Sequence, residues 1–322
     1  MKALIAMLGL VTIGTIPVWC NIPVFRYALE RWKSDKTQVV VFAEELTPQQ
    51  RAKLQVLDER TANGKSNVEW VLSQPSTEKD KERQELWQRE VAAKSQLPWV
   101  VVRTPFPQGK IGQTWSGSLD ATTWDWILDS PSRKELAKRL LAGDSVVWLV
   151  LQAKDAQANA TCRRMLKETF EKLETELLLP EGIGEPGSEL YSEVPLFLRF
   201  SFLEIDIQKD EERYFRQLAQ GFSGEIELDQ EPILMPVFGR GRALEVIPYG
   251  RIDGPLVSDL TKFLCGACSC QVKERNPGFD LLLSVNWTRE LFGEGGFVPE
   301  PKDGEKSLDN TPVLLTIPPG KK

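Results

Sequence analysis

Two stretches far apart in this 322-residue chain repeat one order of elements, and that repetition constrains the fold more than any single residue does. In the first, Leu97-Pro98-Trp99-Val100-Val101-Val102 is a proline-led apolar strand. A second strand follows at Thr114–Gly117, then an amphipathic helix from Ser132 to Leu141. In the second, Met235-Pro236-Val237-Phe238 opens the same series. A Gly-rich turn follows, then a strand over Ala243–Ile247 and a helix from Pro255 to Leu264. A duplicated unit of this size is expected to fold each half around its own core.

The segments upstream of each proline extend the repeat. Val39-Val40-Val41-Phe42 is a continuous apolar run, which suits a strand buried on both faces. Thr47 is an N-cap candidate and Pro48 suits a first helical turn, so a helix is expected from Pro48 to Arg60. Val68–Leu72 reads as a strand, and residues 79–93 as a charged helix with Leu86, Trp87 and Val91 on its apolar side. The first unit is therefore β-α-β-α-β-β-α. The second begins with Ser145–Leu151 and a long helix over 156–178, whose inward side carries Met165, Leu166, Phe170, Leu173 and Leu177. The Gly/Pro/Glu-rich segment Glu181–Ser188 reads as a loop. Leu196–Ile207 reads as a strand and Asp210–Gln220 as a helix, which completes the same order. Residues 23–33 have helical spacing. Leu281–Val285 reads as an extra strand after the turn signal at Asn276–Asp280. From Gly293 the composition is that of an extended tail, with one apolar patch at Val313-Leu314-Leu315. The expected organisation is a signal segment at 1–19, units at 20–142 and 143–292, and a tail at 293–322.

This α/β order, with a proline just before the third strand, resembles the thioredoxin fold. The resemblance implies two tandem thioredoxin-like domains and assigns Pro98 and Pro236 to the family's usual cis-proline. In that family a Cys-x-x-Cys follows the first strand, where the helix dipole stabilises a thiolate. Both units depart from it. The first has Ala43-Glu44-Glu45-Leu46-Thr47-Pro48 there, and the second has Cys162 alone, followed by Arg163 and Arg164. Cys162 is thus either a lone reactive thiol or a packing residue. The resemblance implies redox-inactive domains of a type that binds partners.

The sharpest local motif is Cys265-Gly266-Ala267-Cys268-Ser269-Cys270. Three readings compete for Cys265, Cys268 and Cys270. An oxidising compartment favours structural disulfides. Three thiolates could also supply most of a soft-metal site for copper or zinc, completed by Cys20 if the ends of the chain meet. A redox pair is the third, opposed by the position at a helix C-terminus. Phe238-Gly239-Arg240-Gly241-Arg242 offers Arg240 and Arg242 as an anion-binding fork. Its spacing is not that of a phosphate loop, so the competing reading is a turn with two solvated arginines.

The chain contains no histidine, which excludes Ser-His-Asp and Cys-His catalysis and His-ligated zinc or haem. No pair of carboxylates stands out as acid and base, so the expectation is a non-enzyme. Its net charge is −6, with no basic stripe for a nucleic acid. At the N-terminus Lys2 precedes an apolar run from Ala3 to Ile16, ended by Pro17. That run falls short of the roughly 20 residues of a spanning helix, and reads as an export signal cleaved near Cys20, with an uncleaved anchor as the alternative. Trp19 is too bulky for the position before a lipidated cysteine, which disfavours a lipid anchor at Cys20. The strings Cys20–Trp32, Pro236–Leu244 and Cys268–Cys270 resemble an uncharacterised family of exported bacterial proteins, and that resemblance implies export with no established activity. The expectation is a periplasmic or outer-face protein with no membrane span in its mature form. It would act as a binding or assembly module for an envelope partner, without a cofactor. Thiol-based metal handling or disulfide exchange is the alternative.

Overall fold

The computed structural model describes residues 20–93, 97–106, 111–222, 230–268 and 272–294. The export-signal reading, Cys270 and the patch at Val313–Leu315 therefore lie outside the described residues. The chain enters through α1 (Val24–Arg31). The first unit follows as β1 (Thr37–Phe42), α2 (Pro48–Thr61), β2 (Val68–Ser73), α3 (Lys81–Leu86), β3 (Trp99–Pro105), β4 (Ile111–Ser118), α4 (Trp124–Leu128) and α5 (Pro131–Leu141). The second comprises β5 (Val146–Leu151), α6 (Ala156–Glu176), β6 (Phe200–Ile205), α7 (Arg213–Phe222), β7 (Ile233–Phe238), β8 (Arg242–Ala243), β9 (Ile247–Pro248) and α8 (Gly254–Cys265). The short β10 (Phe279–Asp280) and α9 (Trp287–Phe292) close the described chain.

Local chemistry sets the element starts. Thr47 and Gln50 form a reciprocal capping box at α2, with Pro48 in its first turn. Asp155 accepts from the backbone N–H groups of Gln157 and Ala158 at α6. Asp253 caps α8 through the N–H of Leu256, and Ser130 caps α5 through that of Arg133. The charged helix expected over 79–93 is α3 running into one π turn, Trp87–Val91.

Each unit builds a mixed sheet with the same strand order. In the first it is β2-β1-β3-β4, and in the second β6-β5-β7-β8, with β10 added outside β8 and β9 paired to β7. In each, the first two strands are parallel and the third runs antiparallel to the first.

The register corrects the expected equivalence of the prolines. Trp99 opens β3 opposite Phe42, the last residue of β1, and Ile233 opens β7 opposite Leu151, the last of β5. The residue that matches Pro98 is therefore Pro232. Pro236 lies four positions further on, inside β7 and opposite Trp148. Among the described residues the cis peptide is Leu97–Pro98, so Pro236 is not a cis-proline. Pro236 also explains why the strand expected over Ala243–Ile247 is broken. Its carbonyl accepts from the N–H of Leu244, so its missing N–H faces the same side. The ladder on β7 lapses there and resumes as β9.

The expectation of two separate cores is also overturned. One buried cluster joins Val39, Val41, Val100 and Val102 of the first sheet to Val147, Leu149, Met235 and Val237 of the second. Between them lie Leu136 and Leu140 of α5, Tyr214 and Phe215 of α7, and Leu281–Leu283. The outer face of the second sheet (Val146, Trp148, Val150) packs under α1, α6 and α8. The outer face of the first (Val40, Phe42, Val101) carries only a small cluster with Leu86 and Val91.

Leu281–Val285 is not a strand. It is an extended segment threaded between the units, with Leu281, Leu282 and Leu283 fully buried. Buried Asn67 substitutes for a strand partner: its Oδ1 accepts from the N–H of Leu283 at 2.8 Å, and its Nδ2 donates to the carbonyl of Leu281 at 3.0 Å. Arg133 donates to the carbonyls of Ile127, Trp126 and Leu282, and its guanidinium lies 4.2 Å above the Tyr214 ring. Burial pulls the Arg133 guanidinium down to about 10.

Candidate functional site

The positions where the resemblance would place a dithiol are occupied by capping and loop chemistry. After β1, the Glu44 carboxylate accepts from the backbone N–H (2.8 Å) and hydroxyl (2.7 Å) of Ser76, tying the loop after β1 to the loop after β2. The first N–H groups of α2 face the Thr47–Gln50 box. After β5, Asp155 holds the corresponding helix start, and Asn159 donates to and accepts from the backbone of Ala153. Neither helix N-terminus presents a thiol. Beside the first, an open depression of about 740 Å³ is lined by Phe42, Pro75, Trp87 and the polar side chains of Glu78, Gln84 and Arg89, among others.

Cys162 is a packing residue. It is fully buried beneath α6, among the side chains on the outer face of the second sheet. Burial, and then the nearby Glu204 carboxylate, push its thiol up to about 12, which removes the thiolate needed for reactivity. Arg163 favours the thiolate but is outweighed by burial and by Glu204, with which its guanidinium pairs at 2.6 Å.

The structure brings the segment after Cys20 beside the first part of the thiol motif. Residues 22–24 lie antiparallel to residues 266–268, with Pro23 paired to Ala267. The N–H of Val24 donates to the carbonyl of Gly266 at 3.0 Å, and that of Cys268 to the carbonyl of Ile22 at 2.9 Å. Cys20 is half-buried at the start of this segment, and the N–H of Asn21 is fixed by the Ser188 hydroxyl at 2.9 Å. Cys268 is buried in the same apolar layer that Cys20 packs against. Cys265 ends α8 and points into that layer, where burial pushes its thiol up to about 12. No disulfide joins the four described cysteines to one another. Among the described residues no group of three or more metal-ligating side chains is assembled.

Arg240 and Arg242 are neither solvated nor an open anion fork. Arg240 donates to the carbonyls of Leu29 (2.7 Å) and Glu30 (2.8 Å), closing the C-terminus of α1. Burial lowers its guanidinium to about 10. Arg242 pairs with the buried Asp280 carboxylate at 3.1 Å and donates to the carbonyls of Pro277 and Asn276. Lys273 reaches the other oxygen of Asp280 at 2.5 Å. Gly239, at φ +57°, lets β7 approach α1: a Cβ there would meet the Ala28 Cβ at 2.7 Å.

Sequence reasoning missed the anchoring site of α1. The Glu30 carboxylate, 0 % exposed, accepts from Arg26 Nε at 2.9 Å and from the backbone N–H groups of Tyr191 and Ser192 at 3.0 Å each. Arg26 in turn donates to the carbonyls of Ser192 and Val194. The i,i+4 spacing of Arg26 and Glu30 was visible, but such pairs are ordinarily solvated.

Among the described residues no helix is long and apolar enough to cross a membrane. Comparison with protein-family models, curated proteins and solved structures found no match to this chain.

Proposed function

We propose that the protein is an exported, redox-inactive pair of thioredoxin-like domains that serves as a binding or assembly module in the cell envelope. One observation carries this reading. The same strand order is built twice, with a proline at the mouth of each third strand (Pro98, Pro232), while both sites that would hold a dithiol are filled by helix caps. A fold that keeps its frame and replaces its reactive groups with satisfied polar contacts has surface to offer and no chemistry at that position. The absence of histidine narrows the remaining options for catalysis in the same direction.

Two experiments test it. Tagged full-length protein, incubated with envelope extract at physiological salt, is expected to retain a specific partner in stoichiometric amount. An empty eluate counts against a binding module. In a disulfide-reduction assay with a dithiol recycling system, the protein is expected to show no turnover, and turnover removed by a single Cys→Ser change would replace this reading.

A second reading, thiol-based metal handling or disulfide exchange with copper or zinc as cargo, is favoured by the pairing of residues 22–24 with 266–268, which brings the segment after Cys20 beside the thiol motif. Native mass spectrometry of the full-length protein after exposure to Cu(I) or Zn(II) separates the two readings. A stoichiometric bound ion lost in Cys268→Ser supports the second.

A further inference from the structure

We propose that Val313–Ile317, a segment outside the described residues, docks as an added strand on the open outer edge of β2. This goes beyond the binding-module reading and does not depend on it.

The two units leave the same edge in different states. In each sheet the second strand of the unit is outermost on one side, β2 in the first and β6 in the second. The N–H of Thr37 donates to the carbonyl of Asn67, and that of Ala43 to the carbonyl of Ser73. The odd-numbered residues of β2 therefore face β1, and the N–H and C=O groups of Val68, Trp70 and Leu72 point outward. The bonds from Ser145 to Arg199 and from Gln152 to Ile205 turn Phe200, Phe202 and Glu204 outward in β6 by the same rule. There side chains occupy the edge. Glu174 accepts from the N–H of Phe200 at 3.2 Å, and Arg139 donates to the carbonyl of Phe202 at 2.9 Å. On β2 no described residue bonds to the outward groups of Val68, Trp70 and Leu72. Proline and clustered charge commonly protect an exposed edge, but β2 has no proline and only Glu69 as a charge. Leu72 is 41 % exposed and Trp70 half-buried, so the open backbone and uncovered apolar side chains coincide.

The occupant follows from where the described chain stops. Asn67 holds the carbonyl of Leu281 and the N–H of Leu283, and Asn286 Nδ2 donates to the carbonyl of Asn63 at 3.0 Å. α9 thus starts beside the residues that lead into β2, and its helix extends about 9 Å. The 18 residues 295–312 then precede Val313. Extended, such a stretch reaches about 60 Å, whereas β2 is roughly 20 Å long.

The segment also suits an edge. Val313, Thr316 and Ile317 are β-branched, and Leu314 and Leu315 are apolar. Val313, Leu315 and Ile317 share one side of a strand. Val68 and Trp70 belong to the inner core, and Leu72 alternates onto the same face, so the three side chains would continue that layer. Pro312 and Pro318 bracket the segment and, having no N–H, limit the ladder to the five residues between them.

The test is hydrogen exchange at residue resolution on the full-length protein, as wild type and as Leu314→Pro/Leu315→Pro. The two prolines remove an N–H from each of the two possible alternations. The amides of Trp70 and Leu72 are expected to be protected in the wild type and to exchange about tenfold faster or more in the variant, with β1 amides and circular dichroism unchanged. Unprotected Trp70 and Leu72 in the wild type would overturn the proposal. So would protection that survives the prolines, which would mean that another strand, such as one from a second copy, holds the edge. A photo-cross-linking residue in place of Leu315 is expected to join residues 68–73 of its own chain. In a mixture of isotopically labelled and unlabelled protein, links between chains, or a link to any other strand, would likewise overturn it. If β1 amides also accelerate in the proline variant, the cross-link decides alone.

Discussion

The two units have one strand order and two different strategies for keeping it. In the first, β4 is a single strand of eight residues, and the outer sheet face is covered thinly by α3 and its π turn. In the second, β5 and β7 are buried along their whole length, and the outer face lies under three helices, one of them brought from the chain's start. The difference follows from the fourth strand. Pro236 removes a donor from β7, and the edge that should pair with it shrinks to two short pieces. The second unit recovers cohesion from beyond its own repeat of strands and helices. It takes α1 against its outer layer, β10 beyond β8, and the 281–285 segment against its inner one. Topology can thus be duplicated without duplicating what stabilises it.

The comparison breaks most sharply if the second unit can stand alone. Residues 145–294 expressed alone would expose the inner layer around Leu149 and Met235 as well as the outer layer around Trp148 and Phe238. The expected product is compact, with far-UV but no near-UV circular dichroism signal. A native-like dispersed NMR spectrum would show that α1 and the first unit are both dispensable.

A smaller perturbation keeps α1 and removes its anchor. Glu30→Ala leaves the buried Arg26 guanidinium without its carboxylate and two backbone N–H groups without their acceptor. Breaking a buried pair in this way costs about 3–5 kcal/mol, read as a lower midpoint in urea unfolding. A loss below about 1 kcal/mol would mean that water enters and replaces the carboxylate.

Acid should act on the first unit before the second. Bonds from Arg83, Ser73 and the N–H of Asp80 hold the Glu78 carboxyl down to about 2, below its ordinary value. A carboxylate depressed in the folded state stabilises it above the ordinary value, and that contribution fades as pH falls through the folded value. Protection factors over residues 81–91, taken relative to the intrinsic exchange rates at each pH, should therefore fall as pH drops from about 4.5 toward 2, while those of α6 stay high. Simultaneous loss of both would deny the asymmetry.

The subtlest test returns the missing donor. In Pro236→Val the new N–H faces Leu244, whose own N–H already donates to residue 236. One net hydrogen bond, about 1 kcal/mol, is the expected gain, partly offset by a freer unfolded chain. The clear readout is slow exchange of the new amide. Fast exchange would mean that the proline is not what divides the strand.

Much of this architecture was legible in the residues. Continuous apolar runs located β1 and β5, and the Thr47–Pro48 signal fixed the start of α2. Two kinds of feature were not legible. The first is register. Pro236 looked like the counterpart of Pro98 because both precede apolar strands, and only strand pairing reveals that Pro232 occupies the matching position. The second is long-range polar satisfaction. Nothing near Arg240 in sequence indicates that its partners are the carbonyls of Leu29 and Glu30, and a glycine-flanked arginine reads the same in a turn or at an anion site. The thiol motif was legible as a motif. Its relation to Cys20 was conditional on where the chain ends meet, which spacing does not encode.

The seating of α1 has a consequence for the order of events during synthesis. The helix is made before either sheet, yet its hydrogen-bond partners include Ser192, Val194, Arg240 and Gly266, all in the later half of the chain. Through most of translation α1 lacks those partners, and its closure waits on contacts of very large sequence separation, the kind that slows folding. The first unit can begin to assemble meanwhile, so completion of the fold is timed by the last third of the chain to be made.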